Sequence, residues 1–248
     1  MPGEEGWQSR ELRSGEELPF FALIRNGTDL KSCVLPDDTI LHQAYGSVVA
    51  GDPYRSWGLR SEDAGETWGM VTMAYDGGEH PFNEGSLLCL LGGRIVAMVR
   101  ITSASKLIPQ DDKYLWQAHS DDGGRTWSEA HKTGMWGYPP HLPLLSNGDV
   151  LCICGHRREP YGIRACVSRD GCETCDVKDA IVLRADGLTT EGAVRGKGAP
   201  ADLGYPSTVE LSDGTLLTVY YFTLGDSVTH VAATRWELGE SDSTMGNT

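Results

Sequence analysis

The octapeptide Ser61-Glu62-Asp63-Ala64-Gly65-Glu66-Thr67-Trp68 returns as Ser120-Asp121-Asp122-Gly123-Gly124-Arg125-Thr126-Trp127. A worn copy follows at Ser168-Arg169-Asp170-Gly171-Cys172-Glu173-Thr174-Cys175. The shared template is S-x-D-x-G-x-T-W. Its copies start 59 and 48 residues apart, about the length of one four-stranded propeller blade. The chemistry is that of a hairpin turn. Asp accepts hydrogen bonds from nearby backbone N–H groups, Gly supplies a positive φ, Ser and Thr hydroxyls close the loop, and Trp fills the gap beneath it. The residues ahead alternate as strands do, in Tyr114-Leu115-Trp116-Gln117-Ala118-His119 and Gly162-Ile163-Arg164-Ala165-Cys166-Val167. The motif therefore reads as a fold staple, not as an active site.

A second hairpin recurs out of phase with the first. It runs Val34 to Leu41 around Pro36-Asp37-Asp38, Leu90 to Val96 around Gly92-Gly93, Leu144 to Leu151 around Asn147-Gly148, and Val209 to Leu217 around Asp213-Gly214. Each reads as strand, two-residue Asx/Gly turn, strand. Helix signals are nearly absent. The chain is thus expected to be all-β, a propeller of four-stranded antiparallel blades at about 28–75, 80–133, 136–184 and 200–238. Residues 1–27 and 239–248 read as polar, loose ends, and 185–203 as a long loop between blades.

Composition bounds the function. The net charge of −14 disfavours nucleic acid, whose phosphates require clustered cations, and disfavours an anionic membrane surface. No apolar run approaches the roughly 20 residues needed to span a bilayer. The N-terminus has no apolar signal-peptide core, which points to the cytoplasm. The cysteines number seven, an odd count, and several lie inside apolar runs such as Leu88-Cys89-Leu90 and Leu151-Cys152-Ile153-Cys154. They read as reduced, buried thiols. Cys172-x-x-Cys175 lacks a second pair at ribbon spacing, so no metal is expected.

The octapeptide resembles the Asp-box, or BNR repeat, of the sialidase (neuraminidase) superfamily. That resemblance implies a six-bladed propeller, so four blades read as a truncated or open ring, a four-bladed closure, or an N-terminally incomplete chain. It also implies an exo-α-sialidase-type hydrolase that releases a terminal acidic sugar. Such an enzyme uses a Tyr nucleophile activated by Glu, an Asp acid/base and an arginine clamp on the substrate carboxylate, with no cofactor and no metal.

Carried over by position, Glu84 in Asn83-Glu84-Gly85 and Arg100 at the end of the following hairpin match the activating Glu and a clamp Arg. Arg164, just before the third box, matches another. Tyr205 in Gly204-Tyr205-Pro206-Ser207 is the nucleophile candidate, and Asp52 in Ala50-Gly51-Asp52-Pro53 the acid/base. The family's R-I-P triplet is absent. Asp29-Leu30-Lys31-Ser32 stands there, and Lys31 supplies charge but not a bidentate fork. A glycan is the expected partner.

A rival cluster, Tyr138-Pro139-Pro140-His141 with Gly155-His156-Arg157-Arg158-Glu159-Pro160-Tyr161, concentrates His, Arg and Tyr in one blade. His156 and Tyr161 could serve a polysaccharide lyase or an atypical glycosidase by abstracting the proton α to a uronate carboxylate. With Arg157 and Arg158, they could equally bind sugar in a propeller without chemistry.

Overall fold

The computed structural model describes residues 32–47, 54–101, 112–175, 177–187, 202–224 and 228–239. Four antiparallel sheets follow one another along the chain. The first holds β1 (Ser32–Val34), β2 (Ile40–Gly46), β3 (Arg55–Ser61) and β4 (Gly69–Ala74) in sequence order. The second holds β5 (Phe82–Cys89), β6 (Ile95–Ile101), β7 (Tyr114–Ser120) and β8 (His131–Trp136). The third holds β9 (Pro140–His141), β10 (Val150–His156), β11 (Tyr161–Ser168) and β12 (Ile181–Gly187). The fourth holds β13 (Gly204–Glu210), β14 (Leu216–Thr223) and β15 (Thr229–Trp236). This is the four-blade β-propeller arrangement that the repeats predict.

Three details differ from expectation. Among the described residues the fourth blade has three strands, not four. The expected loop from 185 begins later, because β12 continues to Gly187, paired with Tyr161. The second hairpin family turns through three residues, not two. Leu35 N–H donates to Thr39 O and Asp38 N–H to Leu35 O, and the pattern repeats at Leu90/Arg94, Leu145/Asp149 and Leu211/Thr215. The third turn residue takes the left-handed conformation in every copy, at Asp38, Gly93, Gly148 and Gly214 (φ 63, 86, 89 and 83°). That geometry adds one residue to the hairpin. The loose ends expected at 1–27 and 239–248 lie outside the described residues, apart from Gly239.

First strands meet the neighbouring blades. β5 packs against β1, β2 and β3 on one side and β9 on the other, and β13 packs against β9, β10 and β11. Apolar clusters fill each seam. Leu35, Leu41 and Met73 meet Leu87, Ile95 and Ala97 between blades one and two. Val96, Met98 and Leu115 meet Leu142, Val150 and Cys152 between blades two and three. Ile153, Ile163 and Ala165 meet Leu216, Tyr220 and Phe222 between blades three and four. Every residue of β10 is buried, as a central strand covered on both faces should be. Blade four is covered on one face. Thr208, Leu216, Thr218, Tyr220 and Phe222 are buried, while Val209, Val219 and Val231 on the alternate positions are 53, 40 and 76% exposed.

The three octapeptides make the same turn. In each, the Ser hydroxyl donates to the Asp carboxylate at 2.8 Å (Ser61/Asp63, Ser120/Asp122, Ser168/Asp170). The Ser oxygen accepts the N–H of Gly65, Gly124 or Cys172 at 2.8–2.9 Å. The Asp accepts both the N–H and the hydroxyl of Thr67, Thr126 or Thr174. The third copy departs in its cysteines, and it corrects the reading of seven reduced thiols. Cys175, at the Trp position, forms a disulfide with Cys166 (Cα–Cα 6.1 Å), while Cys33, Cys89, Cys152, Cys154 and Cys172 are free. The box turn folds residue 175 back over β11, so two residues nine apart meet. In blade one the matching positions are Trp68 and Leu59, which pack in one apolar cluster. The covalent link stands where that contact would be.

Candidate active site

Glu84 and Tyr205 reach the same place by the same device. Each sits near the start of a blade's first strand, inside a one-residue bulge. Phe82 pairs with Ile101 and Gly85 with Val99 in one blade; Gly204 pairs with Tyr221 and Ser207 with Val219 in the other. A bulge re-aims the side chain it carries. At the first, a Cβ on Gly85 would lie 2.5 Å from Met98 O, so only glycine lets the strands close there. Gln43 ties it down by donating to Asn83 O at 2.9 Å, and the Asn83 side chain accepts the Glu84 N–H at 2.8 Å. At the second, Tyr205 itself adopts φ 53°. A left-handed tyrosine costs energy that its surroundings must offset, and such residues gather at functional sites.

The result spans 121 residues of sequence. Tyr205 OH donates to Glu84 Oε1 at 2.7 Å. The other Glu84 oxygen accepts Arg100 Nη1 in a buried ion pair. Arg100 Nη1 also lies 3.5 Å from Tyr205 OH. Burial, then the Glu84 charge, raises the Tyr205 pKa well above 10, so the phenol is held as a donor aimed at a carboxylate. Burial works against the Arg100 charge, but Glu84, Tyr205 and Tyr138 outweigh it, and its pKa is raised.

Arg157, assigned by sequence to the rival cluster, belongs here. Its guanidinium lies 5.9 Å from the rings of Tyr205 and Tyr221 and 5.2 Å from that of Tyr138. Nε donates to Leu203 O at 2.7 Å and Nη2 to Tyr221 OH at 2.5 Å. Tyr221 OH donates onward to Asp202 at 3.0 Å, and its ring stacks on Tyr205 at 5.5 Å. Lys113, immediately before β7, is buried, with Nζ 5.8 Å from the centre of the Tyr138 ring. Sequence reasoning missed Lys113, Tyr221 and Asp202 as site residues. Tyr221 alternates with buried Tyr220 and Phe222, but nothing local marks Lys113.

The structure does not bring Arg164 to this mouth. Register places it opposite Cys154 and Val182, next to His156 and Arg158. His156 is buried with both ring nitrogens engaged. Nδ1 donates to Pro160 O at 3.0 Å, and Nε2 accepts from Arg158 Nε at 3.3 Å. Burial, then Arg164, pulls its pKa down to about 4. Arg158 also covers the Trp136 ring at 4.4 Å. His156 thus lacks an open lone pair with which to take a proton. Tyr161 is half-buried at the margin of the core between blades three and four. Lys31 and Asp52 lie outside the described residues. In the loop between β4 and β5, Asp76, Glu79 and His80 bring ligand-type atoms within 4.8 Å of one another, but Asp76 is occupied by the N–H groups of Gly78 and His80 and by the His80 ring. A cavity of about 340 Å³ opens at the box end of the seam between blades one and two. Its arginines, Arg60 and Arg125, both pair with Glu62, which leaves it without the reactive groups found at the mouth.

The fold and mouth together define a β-propeller with a tyrosine–carboxylate pair set among cations. No protein-family model matches the sequence, and no curated protein matches it. Among solved structures it is similar to a protein of unknown function from Dyadobacter fermentans DSM 18053, at 30% identity and TM-score 0.70, over 84% of this chain and 52% of that one. It is similar in fold to a Hadza microbial sialidase (16% identity, TM-score 0.54, 87% of this chain and 47% of that one). It is likewise similar to an α-L-arabinofuranosidase from Fusarium graminearum (14% identity, TM-score 0.60, 87% and 62%). The chain spans about half the length of the first two.

Proposed function

We propose that this propeller is a glycoside hydrolase of sialidase type, acting on a terminal acidic sugar. The observation that carries the reading is the Tyr205–Glu84 hydrogen bond at 2.7 Å with Arg100 on the opposite carboxylate oxygen. A phenol facing a carboxylate base is an activated neutral nucleophile, and a neutral nucleophile suits an anomeric centre that already bears a carboxylate. In this scheme Tyr205 O forms the bond to the anomeric carbon as its proton passes to Glu84. The glycosidic bond breaks, and Asp52 protonates the departing oxygen. Asp52 then takes a proton from water, whose oxygen displaces Tyr205 O at the anomeric carbon; Glu84 returns its proton to Tyr205, and the sugar is released. Arg100 and Arg157 hold the carboxylate of the sugar. The fold likeness to a sialidase and to other propeller glycosidases supports the reading.

The test is hydrolysis of a fluorogenic sialoside by the wild type, and its loss in Tyr205→Phe. The phenylalanine removes one oxygen and keeps the ring stack on Tyr221, so turnover is expected to fall by about 10³-fold or more with the fold retained. Absence of any glycoside cleavage by the wild type across acidic aryl glycosides would sink the proposal.

A further inference from the structure

Sulfur gathers in the seam between blades two and three. Met98 on β6 and Met135 on β8 pack with Cys152 on β10 and Cys166 on β11, inside one apolar cluster. All four residues are between 0 and 3% exposed. Cys152 and Cys166 stand directly opposite each other in the register of β10 and β11. Opposed residues of an antiparallel pair have Cβ atoms about 5 Å apart. Each of the two also touches a thioether. The Cys152 thiol donates to Met98 Sδ at 3.1 Å, and Cys166 Sγ lies 3.3 Å from Met135 Sδ. Cys166 is joined to the half-buried Cys175 by the disulfide. Spacing along the chain drew attention to Cys172-x-x-Cys175 and left the methionines out. The fold instead sets two cysteines and two methionines, from four strands, side by side in one dry seam.

We propose that this seam, once its disulfide is reduced, is a binding site for a soft monovalent cation, Cu(I), held by the sulfurs of Cys152, Cys166, Met98 and Met135. Thiolate and thioether donors select Cu(I) over harder ions. Charge points the same way. A bare thiolate in a dry core is costly, but one thiolate bound to one monovalent cation carries no net charge. A divalent ion would leave a surplus charge unless a second thiol also lost its proton. Loading begins at the disulfide. A thiol reductant attacks Cys175, the more exposed partner, and Cys166 departs as the leaving sulfur. A second reductant thiol then frees Cys175. Two reductant thiols become a disulfide while Cys166 and Cys175 become thiols. Cu(I) replaces the thiol proton of Cys152 or Cys166, which passes to solvent, and the other three sulfurs donate as neutral ligands. The bound ion bridges blades two and three. The inference is independent of the hydrolase reading.

The experiment uses the full chain carrying Cys33→Ser and Cys89→Ser, which removes the two half-buried free thiols elsewhere. The protein is reduced, freed of reductant without air, and titrated against the Cu(I)–bicinchoninate complex, whose colour falls as the protein takes the ion. One ion per chain is expected to transfer, and the melting temperature to rise with it. Met98→Leu with Met135→Leu keeps the apolar volume and should weaken binding at least about 10-fold, as loss of even a group that only orients a metal ligand does. Cys152→Ala should weaken it further. The oxidised chain, with its disulfide intact, should bind Cu(I) at least about 10-fold more weakly than the reduced one, because Cys166 is then no thiol. Zn(II) should compete poorly. Each methionine is replaced singly should the double variant not fold. The inference falls if the reduced protein takes no Cu(I) from the complex, if binding is indifferent to the methionines and to Cys152, if oxidised and reduced chains bind alike, or if Zn(II) binds as tightly as Cu(I).

Discussion

The two ends of the propeller are built by opposite means. At the box end, hydrogen bonds join residues two to four apart, as in Ser61–Asp63 and Asp63–Thr67, and the same bonds recur in three blades. Ion pairs such as Arg94–Asp121 and Arg125–Glu62 then link neighbouring turns on the exposed surface, where each adds little. At the mouth, the decisive bonds join residues 16 and 121 apart, Glu84 to Arg100 and Glu84 to Tyr205. Glu84 is buried, Arg100 and Tyr205 are partly buried, and among the described residues no blade repeats this set of bonds. One end repeats because each turn satisfies itself. The other end is unique because its charges are satisfied only by different blades meeting.

This contrast can be broken by mutation, and the largest effect belongs to the mouth. Glu84→Gln leaves the Arg100 guanidinium buried without its counter-charge. Unfolding by urea should show a loss of about 3–5 kcal/mol, beyond the loss of activity. Tyr205→Phe keeps the ion pair, so its melting temperature should stay close to that of the wild type; a fall as large as that of Glu84→Gln would mean that the pair is not what stabilises the mouth.

At the box end, the third copy can be undone separately. Mild reduction, or Cys166→Ala with Cys175→Ala, should lower stability by roughly 2–3 kcal/mol, the range for closing a short loop. The mouth should be unaffected at temperatures where the protein stays folded. Loss of activity in step with reduction would show that the two ends are coupled.

Acid should act on the boxes as well. The Thr67 hydroxyl and N–H, then Ser61, hold Asp63 down to about 2, and Asp122 is lowered by its Thr126 and Ser120 partners in the same way. A carboxyl with a depressed folded pKa contributes stability above its unfolded value, near 4, and loses it as pH falls toward the folded value. The urea midpoint should therefore drop between about pH 4 and 2, and less so in Asp63→Asn. The smallest effect is expected at Arg164. Arg164→Gln should change KM less than about twofold, whereas Arg157→Gln should raise it by about 10- to 100-fold, since of these two arginines it is Arg157 that stands beside Tyr205.

Legibility followed the same division. The octapeptides marked the turns, and their bonds are as the residue chemistry predicts. The hairpin family marked the blades, though its turn length was underestimated because a left-handed third residue is not distinguishable from a two-residue turn by composition. Cys172 and Cys175 read as wear. Cys172 in fact keeps the box bond to Ser168 and the positive φ (69°) of Gly65 and Gly124, and Cys175 trades the Trp plug for a disulfide. Among the candidate site residues, Glu84, Arg100 and Tyr205 lie together. Arg157 and Arg164 exchanged places relative to expectation. Position before an octapeptide selected Arg164, but strand alternation turns it toward His156 and Arg158.

By itself the sequence determined what is local: the period, the turns, the strands and the apolar seams. These depend on residue types at fixed offsets of a few positions, and such offsets are visible in a linear string. Only the tertiary structure decided which cations share the mouth, which cysteines pair and which blade face stays open. Those outcomes depend on bulges that rotate a side chain and on strands brought together across more than a hundred residues, where a shift of one residue sends a side chain to the opposite face of its sheet.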